Sequence, residues 1–176
     1  MEERNASCFG EGAEHAKVMI VGEQPGDQED LQGRPFVGPA GNLMDTLLEE
    51  AGIDRSRLYV TNAVKHFKLE PRGKRRIHKE PSSAEIRSCK PWLEAEIAAI
   101  RPKAIVCLGA TAAQALLGKS LRVTERHGEF VSTTYAERTM ATVHPSAILR
   151  APTDEVRHQL RKQFVDDFKK IVKLRL

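Results

Sequence analysis

The sequence predicts an α/β protein, a three-layer α/β/α sandwich around a central, mainly parallel, four-stranded sheet. Two observations carry this. Four short runs of β-type residues recur along the chain: Lys17–Val21 (KVMIV), Leu58–Asn62 (LYVTN), Ala104–Leu108 (AIVCL) and Thr139–Val143 (TMATV). Helical patterns separate them, and strands that alternate with helices pair in parallel through crossover connections. There is no internal repeat, low-complexity tract or linker, so residues 1–176 are expected to form one domain.

The elements follow in order. After the first strand comes an acidic, glycine-bearing stretch, and then Leu43, Met44, Leu47, Leu48 and Ala51 share one face of a helix at 3.6-residue periodicity. Pro71–Lys79 reads as the longest irregular loop. Ser82 with Glu85, just after Pro81, forms a capping box that opens a helix with Ile86, Leu93, Ile97 and Ile100 inward. Pro91 lies inside that pattern and is expected to kink or split it. A shorter helix is expected over Thr111–Leu117, a hairpin over Arg122–Thr133 turning near His127–Gly128, and a final helix with Val156, Leu160, Phe164, Phe168 and Val172 as its apolar stripe.

Composition narrows the function. No apolar run approaches the roughly 18 residues a membrane span needs, and the polar start, Met1-Glu-Glu-Arg-Asn5, lacks a signal-peptide core, so a cytoplasmic protein is expected. Cys8, Cys89 and Cys107 show no CxxC spacing, which speaks against a disulfide framework or a self-sufficient zinc site. The chain carries +4 overall, yet residues 65–79 (KHFKLEPRGKRRIHK) hold seven Lys/Arg against one Glu, a net +6 that leaves about −2 for the rest. Positive charge gathered in one place attracts phosphates. A solvated basic loop is the plainer reading of the same residues.

In open parallel sheets ligands bind beyond the C-terminal strand ends. The first strand leads into GEQPGDQED (Gly22–Asp30), the second ends at Asn62 and leads into the basic stretch, the third runs into LGAT, and the fourth into HPSA. In a parallel sheet all four segments share one rim. Gly22 and Gly26 permit tight turns. Phe36, in GRPFVG and outside any periodic stripe, is either an aromatic platform or a loop residue plugging the core. A helix beginning near Gly38–Asn42 would aim backbone N–H groups at an anion. Asn62 offers both donor and acceptor to a base edge, or else closes an Asx turn. His144, before Pro145, is expected to be extended, as a site residue or a turn histidine. A stacking ring, an amide, a histidine and a glutamate beside a phosphate-binding loop would suit an enzyme acting on a flipped nucleobase.

The segments GEQPGDQED, GRPFVGPAG, TNAVKHFK, KRRIHK and HPSAILR resemble the uracil-DNA glycosylase superfamily, and within it the UdgX group, close to the family 4 enzymes. The similarity runs from about Phe9 to the end. It implies excision of uracil from DNA followed by covalent attachment to the abasic sugar. By that resemblance His78 is the nucleophile, Glu23 orients or deprotonates it, and His144 stabilises the departing uracil. Gln24 and Asp27 belong to the same catalytic motif, Phe36 stacks on the base, Asn62 reads its edge, and Gly22 and Gly26 shape the uracil pocket. Lys74, Arg75, Arg76, Lys79, Pro145 and Ser146 are the implied DNA contacts. The implied partner is uracil-containing DNA, single-stranded by preference, met by a monomer with no membrane involved.

The resemblance also implies a [4Fe–4S] cluster, but the N-terminal CxxC that precedes FGEG in the family is missing and Cys8 stands directly before Phe9. His66, where the family has cysteine, and Cys89 are the remaining ligand positions. Four ligands are the norm, so the cluster is expected to be absent or incomplete. A conventional multiple-turnover glycosylase and a non-catalytic nucleic-acid-binding module are the competing functional readings.

Overall fold

The computed structural model describes residues 7–72, 75–118 and 121–176, with the side chains of residues 69–76 outside that description. Its main sheet holds five strands in the order β1-β3-β2-β6-β7: β1 (Glu11–Gly12), β2 (Val18–Gly22), β3 (Tyr59–Asn62), β6 (Ala104–Leu108) and β7 (Arg138–Thr142). The last four are the predicted strands, all parallel, within a residue of their expected bounds. The fifth, β1, pairs antiparallel with β3 at the edge, Glu11 opposite Val60. It escaped the sequence reading because two residues carry no alternation.

Successive side chains of a strand point to opposite faces, and both faces here are covered. Val18 and Ile20 of β2 join a core with Met44, Leu47 and Leu48 of α2 (Pro39–Glu50) and Phe164 and Phe168 of α7 (Asp154–Lys173). Met19 and Val21 join Leu93 and Ile97 of α3 (Ser83–Ile100) and Ala112, Ala113 and Leu116 of α4 (Ala110–Leu117) on the other side. Burial on both faces explains why these strands read as unbroken apolar runs. Among the described residues no helix is long and apolar enough to cross a membrane.

Several expectations need correction. The acidic stretch after β2 carries an element the sequence did not display: Asp27–Gln32 forms the short helix α1, with Glu29 and Asp30 buried. The stretch expected as an irregular loop is a second, two-stranded sheet, in which β4 (Leu69–Arg72) pairs antiparallel with β5 (Arg75–His78). Its charged composition hid the strands because charge at an exposed edge is compatible with strand pairing. Pro91 does not split α3, which runs unbroken through it. The carbonyl that proline leaves without a donor is that of exposed Arg87, and the Ser82–Glu85 capping box and buried Leu93 and Ile97 hold the helix on either side. Arg122–Thr133 is not a hairpin: Val123–Arg126 forms the helical turn α5, and only Val131 makes an isolated bridge, to Thr139. Val172 is 45% exposed and Ile171 is buried in its place. A strict four-residue spacing advances about 40° per step on a helix of 3.6 residues per turn, so a stripe begun at Val156 has wound off the core face by Val172.

Two buried ionic clusters brace the strands that carry the rim. Lys65, 3% exposed, donates to Thr61 Oγ1 and to the Asn62 carbonyl at 2.7 Å each and pairs with Glu96 of α3. Glu96 also accepts from Gly10 N–H at 2.7 Å, Thr61 Oγ1 at 2.9 Å and Tyr59 O–H at 3.2 Å, so one carboxylate ties the N-terminal segment, β3 and α3 together. Burial lowers the Lys65 ammonium pKa, against the pull of Glu96. Removing one partner of a buried pair leaves the other uncompensated. Lys65→Met is expected to lower stability by about 3 kcal/mol, read from urea midpoints, with part regained in Lys65→Met/Glu96→Leu. At the other edge Asp167 of α7, 1% exposed, accepts from Thr142 Oγ1 at 2.7 Å, contacts His127 Nδ1 at 2.8 Å and pairs with Lys170 at 3.3 Å. This fixes the end of β7 two residues before His144.

Candidate active site

The parallel register brings the four strand ends to one rim, Gly22 opposite Asn62 and Leu108 opposite Thr142. Glu23 follows β2 directly. Its Oε1 lies 3.2 Å from His78 Nε2, and His78, the last residue of β5, is 43% exposed at its side chain. Its Oε2 accepts a short hydrogen bond from Thr111 Oγ1 at the start of α4. Burial by itself would raise the Glu23 pKa. Hydrogen bonds from His78 and Thr111, aided by electrostatic attraction to His78, outweigh it and hold the carboxyl below its ordinary range. Glu23 is thus an ionised acceptor facing an imidazole.

The hairpin that carries His78 is clamped at its base. Gln24, buried, donates from Nε2 to the Lys79 carbonyl at 3.0 Å and accepts at Oε1 from Lys68 N–H at 3.4 Å. The Gln24 amide, in the same motif as Glu23, thus ties that motif to the hairpin backbone. Lys79 is exposed, and its own N–H closes the pair on Lys68 at 3.0 Å. Lys74 and the side chains of Arg75 and Arg76 lie outside the described residues; the backbone of Arg75 and Arg76 is part of β5.

Phe36, Asn62 and Gly22 meet at one point. A Cβ on Gly22 would lie 2.4 Å from Asn62 Oδ1 and 2.6 Å from Phe36 Cζ, so only glycine lets ring and amide close over the end of β2. Phe36 is 6% exposed, its ring stacked near His144 at 6.1 Å and 28°. It sits at φ +55°, a left-handed conformation that costs a bulky residue on the order of 1 kcal/mol or more. Two features hold it there. Gly41 packs against its backbone, where a Cβ would come within 1.9 Å of the Phe36 oxygen. Arg55, paired with Asp45, donates to the Phe36 and Pro35 carbonyls at 3.4 Å each. The fate of the helix N-terminus near Gly38 also differs from expectation. Gly38 N–H meets Glu29 Oε1 at 2.9 Å and Gly26 N–H meets Glu29 Oε2 at 3.1 Å, so the anion at that turn is a carboxylate of the protein itself. Asp27 opens α1 directly after Gly26.

His144 is extended (φ −77°, ψ 137°) and caps α6 (Pro145–Leu149), with Pro145 buried at its first position. Its Nδ1 accepts from Ser146 N–H at 3.1 Å, which places the ring proton on Nε2. Burial pushes its pKa down to about 4, with Glu23 opposing and Arg150 and His78 adding to the shift. His144 is thus a neutral N–H donor at neutral pH.

The profile of the Uracil DNA glycosylase superfamily matches residues 9–169. The chain belongs to that superfamily. Among curated relatives of this uracil-DNA glycosylase superfamily member, the type-4 uracil-DNA glycosylase of Archaeoglobus fulgidus is 37% identical over 94% of this chain and 80% of its own length. That of Thermotoga maritima is 38% identical over 88% of this chain and 77% of its own. A Methanosarcina acetivorans protein solved by NMR aligns at a TM-score of 0.50 with 12% identity, covering 93% of this chain and 98% of that one, a likeness of fold.

The [4Fe–4S] cluster implied by the resemblance does not fit the residues present. Iron–sulfur clusters are held by four ligands, normally cysteine thiolates, and of the three cysteines Cys107 is buried in the core of β6, which leaves Cys8 and Cys89. Cys89 Sγ contacts His66 Nδ1 at 3.8 Å, and His66 Nε2 faces Glu85 Oε1 at 3.7 Å, so the imidazole is engaged on both sides. No three His, Cys, Asp or Glu side chains among the described residues come together to hold a metal.

The rim was legible in the sequence, and so were Glu23, Phe36, Asn62 and His144 as its residues, whereas His78 entered through the family resemblance. Thr111, Arg55 and Gly41 were not singled out. Thr111 lay in a flagged segment, LGAT, whose place on the rim was the one available signal.

Proposed function

We propose that this chain excises uracil from DNA and then becomes bonded to the abasic sugar through His78, the reaction of the UdgX group. The observation that carries the proposal is the 3.2 Å contact between His78 Nε2 and Glu23 Oε1 beside Phe36, Asn62 and His144. An exposed imidazole backed by an ionised carboxylate is a nucleophile with its proton acceptor in place. The names of the type-4 relatives support the glycosylase half of the reading.

In this mechanism a flipped uracil stacks on Phe36 and its edge pairs with the Asn62 amide, offsetting part of the cost of unstacking. The C1′–N1 bond breaks with both electrons going to uracil, and the neutral His144 Nε2–H donates to the developing anion. An imidazole lone pair of His78 then forms the C1′–N bond, and the proton left on the other ring nitrogen passes to Glu23. Proximity lets the imidazole outrun water. Lys74, Arg75, Arg76 and Lys79 neutralise backbone phosphates on the proposed partner, single-stranded DNA, which a monomer engages.

The type-4 names favour a second reading, in which water takes the sugar and the enzyme turns over. Incubation with single-stranded uracil-containing DNA and a denaturing gel separates the two. A slow-migrating protein–DNA band in stoichiometric yield is expected. Free abasic DNA in excess over enzyme, without that band, would sink the covalent reading, and absence of released uracil would sink both.

A further inference from the structure

Glu23 has two carboxylate oxygens and two partners on opposite sides. Oε1 faces His78 Nε2 at 3.2 Å, and Oε2 accepts from Thr111 Oγ1. The terminal torsion of a glutamate is soft, so nothing intrinsic directs either oxygen at the hairpin. Thr111 does so from a fixed base. It is the second residue of α4, whose cap, Gly109, donates to the Thr142 carbonyl at 2.9 Å and packs close to His144. Among the described residues Phe36 and Asn62 make no hydrogen bond to Thr111, so the base platform is held independently of it.

Resting on the function proposed above, we propose that Thr111 is a positioning residue that sets how the abasic sugar is shared between His78 and water. When the C1′–N1 bond has broken, two nucleophiles compete for C1′. If His78 attacks, its lone pair forms the C1′–N bond and the remaining N–H proton must leave, to Glu23. If water attacks, its oxygen forms the C1′–O bond and its proton passes to Glu23 or to solvent. Only the histidine route requires a carboxylate oxygen already in line with the imidazole. Thr111 secures that alignment, and its donated hydrogen bond keeps Glu23 in the ionised form that accepts the proton. Loss of the hydroxyl frees the carboxylate to rotate and raises its proton affinity, and both effects handicap the imidazole more than water.

The test measures adduct and free abasic DNA in the same single-turnover reaction for the parent chain, Thr111→Val, which keeps the shape, and Thr111→Ser, which keeps the hydroxyl. The adduct-to-free ratio is expected to fall about tenfold or more in Thr111→Val, the range for losing a hydrogen bond to a charged group. The acidic limb of adduct formation should move to higher pH as Glu23 protonates more readily, and Thr111→Ser should restore both. A ratio in Thr111→Val equal to the parent's, even with slower total excision, overturns the proposal. So does a ratio that falls as far in Thr111→Ser, since that marks a packing role. Thr111→Ala takes the place of the valine variant if that one does not fold. Absence of adduct from the parent chain overturns the His78 reading and this inference together, whereas adduct from the parent with an unmoved ratio overturns this inference alone.

Discussion

Replacing His78 by alanine is expected to abolish the covalent band altogether and to release abasic DNA in its place. The expectation follows from the division of labour at the rim. His78 lies at the end of the hairpin, its side chain 43% exposed and facing Glu23 and the Phe67 ring. The groups that bind and expel the base, Phe36, Asn62 and His144, belong to other elements. Removing the imidazole leaves the oxocarbenium-like sugar to water, with Glu23 still there to accept a proton. The loss of adduct should be complete, more than about a thousandfold, because no graded contact is weakened: the attacking atom itself is gone. A denaturing gel and a uracil-release assay on the same sample check it. An adduct surviving in His78→Ala would assign the nucleophile to another side chain.

The second large effect falls on bond cleavage. His144→Ala is expected to slow uracil release by about a hundred- to a thousandfold, the usual cost of losing one donor to a developing anion in a buried site. Here the donor is neutral. With Nδ1 occupied by Ser146 N–H and the pKa pushed down to about 4, the ring gives a hydrogen bond from Nε2 and carries no charge at pH 7. Single-turnover release by the parent chain should therefore show no step from His144 between about pH 6 and 8. The same shift has a consequence for stability. Between about pH 6.5 and pH 4 the unfolded histidine binds a proton that the folded one refuses, so stability is full above that window and is lost as pH falls through it. In His144→Ala this part of the acid sensitivity disappears, and urea midpoints should fall less steeply with acidification. Release that follows an ionisation near pH 6.5 and vanishes above it would show a charged His144 and refute the neutral-donor mechanism.

How much of this was readable beforehand depended on which interactions are local. The capping box of Ser82 and Glu85, the apolar face of α2 and the four parallel strands depend on spacing along the chain, and the sequence displays spacing directly. The burial of Glu29 against Gly26 and Gly38, the run of α3 through Pro91 and the pairing of β4 with β5 depended on what lay opposite. A local reading therefore left Glu29 without a partner, allowed a break at Pro91 and returned an irregular basic loop.

The sequence alone determined the α/β class, the parallel sheet and the rim where Glu23, Asn62 and His144 converge. Periodicity and strand order suffice for that, since parallel strands place every C-terminal end on one side. Only the tertiary structure decided what those residues are to one another. It set Glu23 between His78 and Thr111, gave His144 its tautomer through Ser146, and held Phe36 left-handed by Arg55 and Gly41. Those properties reside in distances of about 3 Å between residues up to 88 positions apart, and hydrogen bonds and proton affinities depend on such distances and on burial. No spacing along the chain encodes them.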